Sequence, residues 1–445
     1  MHDIRVVTDV SDVIVQSHYC TTAIYKSSKF IVVMKKIIVL GAGNMGAHIA
    51  SCLTEEYKVT VADYSQISLD RIANKDIETV SADLSQPAVV KELVSGYDLV
   101  ITALPEAFGY QALQAVIESG KNAVDISFWN QSEERISQLD ALARENDVTI
   151  FIDSGVAPGF SNALVSYFDL LLAGKTKTAA VYVGGIPLSR ERGFFAPWSV
   201  AGVIEEYTRQ ALHVKNGHME KSPALSLIET LDSPVGKLDA GLTDGLRTLP
   251  FSLPHIQTMS EFTLRYPGHF HQMNILKEIG FFSDDPIAVK SSKITALEMT
   301  KLLDVDGNYR PVLEELGFYD NTVSYDCPGQ QMAPRKVAIA VLANKWMMRA
   351  DDRDILVMRV QADDAKTTHT ADIYAEHNGI NSAMALTTGS MAVLSAKALA
   401  KGMFNKKGSF PLEKVIREEP ELIQYFISGL ESLGVVYKQN KTVLK

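Results

Sequence analysis

The sequence predicts an α/β protein in which a Rossmann-type doubly wound parallel sheet precedes a second, mixed α/β domain. Short β-branched runs alternate with amphipathic segments from residue 35 to residue 153, which is typical of parallel strands joined by crossover helices. A glycine-rich turn, GAGNMG, directly follows the first run. From about residue 160 the alternation weakens, so we expect a different domain there.

Composition narrows the class of protein. The chain has 445 residues, 46% of them hydrophobic and 22% charged, as in an ordinary globular protein of two or three domains. Its 43 Lys and Arg against 53 Asp and Glu give a net charge of −10, which disfavours binding to nucleic acid or to a membrane surface. No run approaches the ~20 apolar residues of a membrane helix. We expect a cytoplasmic protein that acts on a small molecule.

The N-terminal residues 1–33 differ in character from the rest of the chain. They mix charges with short apolar runs and lack the ordered parts of a secretory signal, so we predict a disordered extension, with Met34 as an alternative start. The three cysteines, Cys20, Cys52 and Cys327, are scattered and lack CxxC spacing, which predicts reduced thiols and no metal site.

The first strand, over residues 35–40, leads into the turn of a dinucleotide-binding domain that we place at residues 34–157. The order of strand, GxGxxG, helix, strand and acid is the context that a dinucleotide fingerprint requires. Gly41 permits the tight turn, Gly43 lets the backbone approach a pyrophosphate, and Gly46 lets the helix pack on the strand. The helix N-terminus would hold the pyrophosphate. The predicted cofactor contacts here are Gly41, Gly43, Asn44, Met45 and Gly46.

The second strand, over residues 58–62, ends at Asp63, 22 residues after Gly41. A carboxylate there can accept hydrogen bonds from both ribose hydroxyls and repels a 2′-phosphate. No arginine follows within the next three residues, so the sequence favours NAD over NADP. The alternative interpretation of Asp63 is a solvated acid at the end of a strand.

Four more strands are predicted over residues 78–84, 98–104, 122–128 and 149–153, with helices over 111–119 and 133–145. Ligands collect at the carboxyl ends of parallel strands. We therefore expect Asp83 to contact adenine and Ala103, Leu104 and Pro105 to line the cofactor site. The same reasoning places Asp125, Phe128, Trp129 and Asp153 near the nicotinamide.

The chain resembles the saccharopine dehydrogenase family, and within it the lysine 6-dehydrogenase branch. The resemblance rests on GAGNMG, DISFWN, DSGVAPGFSN, YVGGIP, IEEYTR, TDGLRT, TLRYPGH and LKEIGFF, which run in order from residue 35 to residue 282. It implies a mixed α/β catalytic and dimerisation domain, which we place at residues 158–380. It further implies a C-terminal segment, residues 381–445, that returns to the first domain, and a homo-oligomer.

The resemblance implies oxidation of a carbon–nitrogen bond of lysine or a lysine derivative, with hydride passing to NAD. A glutamate-forming saccharopine dehydrogenase, a carboxynorspermidine-type dehydrogenase and a non-catalytic nucleotide-binding protein are the alternatives. Leu386 stands where relatives usually carry an arginine, which leaves room for a shifted substrate. Residues 284–335, rich in proline, are predicted to be irregular.

A few side chains are candidates for the chemistry of amine oxidation, which needs a base and a held carboxylate. Asp125 and Asp153 could bind the ammonium or act as base, or they could be helix caps. Arg247 could bind the substrate carboxylate through its forked guanidinium, or it could pair with Asp244. The remaining candidates are Arg265 for a carboxylate, His269 for proton transfer or a structural role, Tyr266 for packing, and Phe128 and Trp129 as walls for an aliphatic chain.

Overall fold

The computed structural model describes residues 35–74, 76–196 and 199–443. The predicted extension over residues 1–33, and with it Cys20 and Met34, lies outside the described residues. Within the described ranges no helix is long and apolar enough to cross a membrane. In the same ranges no group of three or more His, Cys, Asp or Glu side chains is placed to hold a metal ion.

The first domain is a parallel sheet covered on both faces. Its strands begin with β1 (Lys36–Leu40), β2 (Lys58–Asp63), β3 (Ile77–Ser81), β4 (Leu99–Thr102), β5 (Asn122–Asp125) and β6 (Thr149–Ile152), in the order β3-β2-β1-β4-β5-β6. The helices are α1 (Asn44–Leu53), α2 (Gln66–Ile72), α3 (Pro87–Val94), α4 (Glu106–Glu118) and α5 (Glu133–Glu145). Alternate residues of β1 enter two different cores, Ile37 one and Ile38 the other, which is why the strand is apolar throughout.

The second domain is a mixed sheet with helices. Its strands are β7 (Thr178–Pro187), β8 (Gln210–Lys215), β9 (His218–Pro223), β10 (Ile228–Ser233), β11 (Gly236–Leu242), β12 (Thr258–Arg265), β13 (Ile287–Ala288), β14 (Lys293–Thr295), β15 (Ser324–Asp326), β16 (Gln331–Met332), β17 (Asp354–Asp363) and β18 (Thr367–Glu376). The helices are α6 (Phe160–Leu171), α7 (Val200–Thr208), α8 (Leu249–Ser252), α9 (His269–Glu278), α10 (Ala296–Leu303), α11 (Arg310–Leu316) and α12 (Pro334–Trp346). The central pair, β7 and β12, is parallel, whereas β17 and β18 are antiparallel to their neighbours.

The prediction of an irregular stretch over residues 284–335 is wrong. This stretch contains α10, α11 and the short strands β13 to β16, packed around a core that includes Phe281, Phe318 and Leu313. Pro311 and Pro334 lie in the first turns of α11 and α12, where a missing N–H costs no hydrogen bond. These two prolines therefore mark helix starts and not an irregular chain.

The C-terminal segment belongs to both domains. A π-helical turn (Ala385–Gly389) leads into α13 (Ser390–Ala400), and β19 (Gly408–Pro411) then pairs in parallel with β6 as the seventh strand of the first sheet. Helices α14 (Leu412–Glu418) and α15 (Leu422–Glu431) follow. The last strand, β20 (Val436–Val443), differs from the predicted return to the first domain, because it pairs with β18 of the second sheet. Leu386 is buried within the π-helical turn.

Candidate active site

The glycine turn between β1 and α1 leaves an open cradle. Gly41 has a φ of +112°, and a Cβ there would lie 2.4 Å from the Ala103 carbonyl oxygen. A Cβ at Gly46 would lie 1.9 Å from the Gly41 carbonyl oxygen, whereas one at Gly43 would meet nothing within 4 Å. Two glycines therefore allow backbone packing and the third leaves space at the N-terminus of α1. This arrangement fits a pyrophosphate held by free N–H groups. The side chain of Asn44 is exposed and that of Met45 is half-buried beside this cradle.

Asp63 ties the end of β2 to the same turn. Its Oδ2 accepts a hydrogen bond from the Ala42 N–H (2.7 Å), and its Oδ1 accepts one from the Ser65 N–H (2.8 Å). Asp83, just beyond β3, is exposed and accepts from the Ser85 N–H and hydroxyl. The carboxylate of Asp63 therefore stands at the position where a ribose would meet the chain.

Past the end of β4, the chain turns towards the neighbouring strand β5. The Ala103 N–H donates to the Leu40 carbonyl (2.9 Å), and the Leu104 N–H donates to Ser127 Oγ (3.1 Å). Pro105 precedes the first residue of α4. The cofactor-lining residues predicted after β4 therefore lie at the carboxyl edge, beside the glycine turn.

Asp125 lies at the end of β5 with no exposed surface. It accepts hydrogen bonds from the Thr102 hydroxyl, the Ser127 N–H (3.0 Å) and Trp129 Nε1 (2.9 Å). Burial raises its pKa to about 6, although these hydrogen bonds act in the opposite direction. Trp129 is only 1% exposed. The two side chains therefore hold each other in the interior, and the catalytic role of Asp125 and the substrate-wall role of Trp129 stay predictions.

The Phe128 ring is partly exposed at the carboxyl edge of the first sheet and lies between two guanidinium groups. The Arg209 Cζ lies 4.6 Å from its ring centroid and the Arg247 Cζ lies 4.0 Å from it. Arg209 also forms ion pairs with Glu106 at the start of α4 and with Glu205. The cation–π contact between Phe128 and Arg209 thus connects the first domain to the end of α7 in the second.

Arg247 pairs with Asp153 and not with Asp244. The Arg247 Nη2 lies 3.6 Å from Asp153 Oδ1 and donates to the Trp129 carbonyl at 2.6 Å. Asp153 also accepts from the Gln131 amide (2.8 Å), while Asp244 accepts from the backbone N–H of Leu212. Asp153 is therefore held in a buried ion pair, and its role towards the substrate stays a prediction. The Arg247 Nε is buried without a hydrogen-bond partner.

The loop that carries Arg247 is anchored at both ends by buried carboxyl groups. Glu261 Oε2 lies in hydrogen-bond contact with Thr243 Oγ1 at 2.7 Å, and Glu413 of the C-terminal segment accepts from Thr248 and from Ser252. Burial raises the pKa of both carboxyls, that of Glu261 to about 8. Neither residue was predicted, because each acts on a loop far away in the chain.

Arg265, Tyr207 and His269 form a second polar cluster. Arg265 Nε donates to the Tyr207 hydroxyl (2.7 Å), which hydrogen-bonds to His269 Nε2 (3.0 Å). Burial, together with the nearby Arg265 charge, lowers the pKa of His269 well below its usual value. The ring of His269 packs against Phe194 and Trp346. In the described structure His269 is a buried hydrogen-bond partner of Tyr207, as in the structural alternative, and its role in proton transfer stays a prediction.

Glu206 and Tyr266 lie next to this cluster. Arg265 Nη2 lies 3.7 Å from Glu206 Oε2 and is buried without a hydrogen-bond partner. Tyr266 packs under Arg190 and donates its hydroxyl to the Pro187 carbonyl (2.8 Å). Glu206, Tyr207 and Arg209 all come from IEEYTR, where the density of polar and aromatic groups was the available signal.

Comparison with known proteins places both domains in one family. The family model described as "Saccharopine dehydrogenase NADP binding domain" matches residues 37–151, and "Saccharopine dehydrogenase C-terminal domain" matches residues 155–435. The second match alone covers more than half of the chain.

Curated relatives include a "Saccharopine dehydrogenase [NADP(+), L-glutamate-forming]" of Pyricularia oryzae, 25% identical over 56% of this chain and 59% of the relative. The protein of the same name from Saccharomyces cerevisiae is 22% identical over 60% of this chain and 63% of the relative. The chain thus spans about three-fifths of the length of the curated relatives it matches.

Among solved structures, the apo saccharopine dehydrogenase (L-Glu forming) from Saccharomyces cerevisiae superimposes with a TM-score of 0.71. That match covers 92% of this chain and 100% of the other at 19% identity, and it shows a shared fold. The two domain matches identify the chain as a member of the saccharopine dehydrogenase family.

Proposed function

We propose that the protein oxidises the terminal amine of lysine, or of a close lysine derivative, with NAD as hydride acceptor. The observation that carries this proposal is the charge balance around four arginines, Arg209, Arg247, Arg265 and Arg335. Arg247 pairs with Asp153, Arg265 lies beside Glu206, and Arg209 pairs with Glu106. Arg335 pairs with Glu205 and Asp284.

This balance suits a substrate with one carboxylate and two ammonium groups. Each of these four arginines already faces an acidic side chain, so the region offers little surplus positive charge. Saccharopine carries three carboxylates, and its binding would require arginines to leave these partners. Lysine requires one bidentate contact for its single carboxylate.

The buried and unpaired N–H groups of Arg247 and Arg265 support a carboxylate ligand. Arg247 Nε and Arg265 Nη2 lack hydrogen-bond partners in the described structure. A buried donor left unsatisfied costs about 1–3 kcal/mol, which an arriving carboxylate oxygen would recover. Phe128, 36% exposed, is the wall available to an aliphatic chain.

The glycine turn and Asp63 would hold the cofactor, whose nicotinamide would accept the hydride. NAD is proposed over NADP because the Asp63 carboxylate opposes a second phosphate on the ribose. The relatives are named as NADP enzymes, so the proposed preference for NAD rests on Asp63 of this chain and not on the relatives. Asp83, Ala103, Leu104 and Pro105 are proposed as further contacts.

A glutamate-forming saccharopine dehydrogenase is the second candidate, favoured by the names of the relatives. For this reaction Arg209 and Arg335 would have to exchange Glu205 for substrate carboxylates. The homo-oligomeric state, the cytoplasmic location and the expected lack of nucleic-acid and membrane binding stay predictions.

The test is absorbance at 340 nm with the full chain, NAD or NADP, and either L-lysine or saccharopine. NADH formed from lysine, with one ammonia released per NADH, would support the proposal. Reduced cofactor formed only from saccharopine, with glutamate released, would establish the second candidate. Turnover of neither would point to another amine or to a non-catalytic role.

A Gly43→Val variant is the matched control for this assay. A Cβ at Gly43 meets no atom within 4 Å, so we expect this variant to fold. Its side chain would fill the pyrophosphate cradle, and any true cofactor-dependent signal should be lost.

A further inference from the structure

Four polar side chains form a continuous hydrogen-bonded chain beside Arg265. The Thr263 hydroxyl donates to Glu206 Oε1, and Thr263 Oγ1 lies 2.9 Å from Thr243 Oγ1. Thr243 Oγ1 in turn lies 2.7 Å from Glu261 Oε2. A carboxyl group therefore stands at each end of the chain, with two hydroxyls between them.

Counting protons shows that the two carboxyls share one. The chain contains three hydrogen bonds and therefore needs three protons, but the two threonine hydroxyls supply only two. The third proton must sit on one carboxyl. When it sits on Glu261, every bond in the chain points towards Glu206, and Glu206 is a carboxylate that accepts from Thr263.

The surroundings place the shared proton on Glu261. Glu261 is 4% exposed and faces the carboxylates of Glu206 and Asp244, and this burial and repulsion raise its pKa to about 8. The Glu206 side chain is 24% exposed and faces the Arg265 guanidinium at 3.7 Å. A charge is therefore held more easily at the Glu206 end.

Glu206 also lies close to Arg265, which the proposed function assigns to the substrate carboxylate. It lies in the last turn of α7, and Arg209 is the C-cap residue of the same helix. Arg209 covers the Phe128 ring at the carboxyl edge of the first sheet. Arg265 Nη2, which lies 3.7 Å from Glu206 Oε2, is buried without a hydrogen-bond partner and independently indicates a missing ligand.

We propose that Glu206 is the general base that deprotonates the substrate amine, and that the Thr263–Thr243–Glu261 chain holds its carboxylate in place by a donated hydrogen bond. This inference rests on the proposed function. In the step, an N–H bond of the substrate ammonium breaks and an O–H bond forms on Glu206. The neutral amine can then release hydride from its neighbouring carbon to the nicotinamide. Asp125, Asp153 and His269 are each engaged in other contacts.

The kinetic test compares Glu206→Gln with Glu220→Gln, an exposed acid on β9 that serves as control. Loss of a positioned base lowers kcat by about 10²–10⁴-fold, and we expect this for Glu206→Gln together with loss of the acid limb of the kcat profile. Thr263→Val should also lower kcat, because Glu206 loses the hydroxyl that holds it in place. An unchanged kcat and acid limb in Glu206→Gln would overturn the proposal, as would an effect confined to KM.

A second measurement does not depend on turnover. Infrared titration of the full chain should show the carbonyl stretch of a buried protonated carboxyl that disappears near pH 8 and is absent in Glu261→Gln. Absence of that band in the wild type would refute the shared proton. If neither lysine nor saccharopine is oxidised while the band is present, the proposed function fails and the base role fails with it, but the proton-sharing chain stands.

Discussion

The Arg247 guanidinium and the Asp153 carboxylate form an ion pair that joins the two domains, with Nη2 3.6 Å from Oδ1 and both side chains 3% exposed. Both residues have positive backbone φ, +54° for Arg247 and +49° for Asp153. Such angles are uncommon outside glycine and mark positions that their surroundings must hold in place. The pair therefore depends on the anchored loop as much as on its own attraction.

We expect Arg247→Ala to raise KM for the amine substrate and to leave NADH affinity unchanged. The proposed carboxylate contact would be lost, whereas the glycine turn is untouched. The variant should also lose about 3–5 kcal/mol of unfolding free energy, because Asp153 is left buried without its partner. Steady-state kinetics, NADH fluorescence titration and urea unfolding measure the three quantities.

The double variant Arg247→Ala/Asp153→Asn separates the two effects. Removing both charges should recover part of the unfolding free energy but none of the affinity for substrate. Full kinetic recovery in the double variant would show that Arg247 acts only through the ion pair.

Much of the first domain could be predicted because its signals are local. The segment from β1 through the glycine turn to Asp63 is short and regularly spaced, and the helix predicted over residues 133–145 is α5, Glu133–Glu145. The site was harder to predict because its contacts are distant in sequence. Glu413 meets Thr248 across 165 residues, and no pattern near either one signals the other. Burial, which decides the states of Asp125 and His269, is also set by the whole fold.

Asp63→Asn should relax the preference for NAD. The substitution removes the negative charge that opposes a 2′-phosphate, while its oxygen can still accept from the Ala42 N–H. A lost hydrogen bond to a charged group is worth about 1.5–3 kcal/mol, so the NADH-to-NADPH affinity ratio should fall roughly ten- to a hundredfold. Fluorescence titration with each reduced cofactor measures that ratio.

Asp70→Asn, an exposed acid on α2, is the control for the change in charge. Its affinity ratio should match that of the wild type. If Asp63→Asn also matched the wild type, Asp63 would be a solvated strand-end acid with no part in cofactor choice.

Asp125→Asn should destabilise the fold more than it alters the chemical step. Aspartate accepts from Thr102, the Ser127 N–H and Trp129 Nε1, but asparagine brings an NH2 group that opposes one of these donors. Leaving a buried donor unsatisfied costs about 1–3 kcal/mol, which urea unfolding would detect. The acid limb of the kcat profile should persist, and its disappearance would return Asp125 to the role of base.

Glu261→Gln should change how stability depends on pH. The pKa of Glu261 rises from the usual 4.5 to about 8 on folding, so between these values the folded state holds a proton that the unfolded state has released. The contribution of Glu261 to the free energy of unfolding is complete below about pH 4.5 and is lost as pH rises towards about 8. One pKa unit corresponds to about 1.4 kcal/mol, so the loss is a few kcal/mol at most. Glutamine stays neutral, and urea unfolding across this range should show a shallower decline for Glu261→Gln, whereas a decline parallel to that of the wild type would mean that Glu261 does not carry the buried proton.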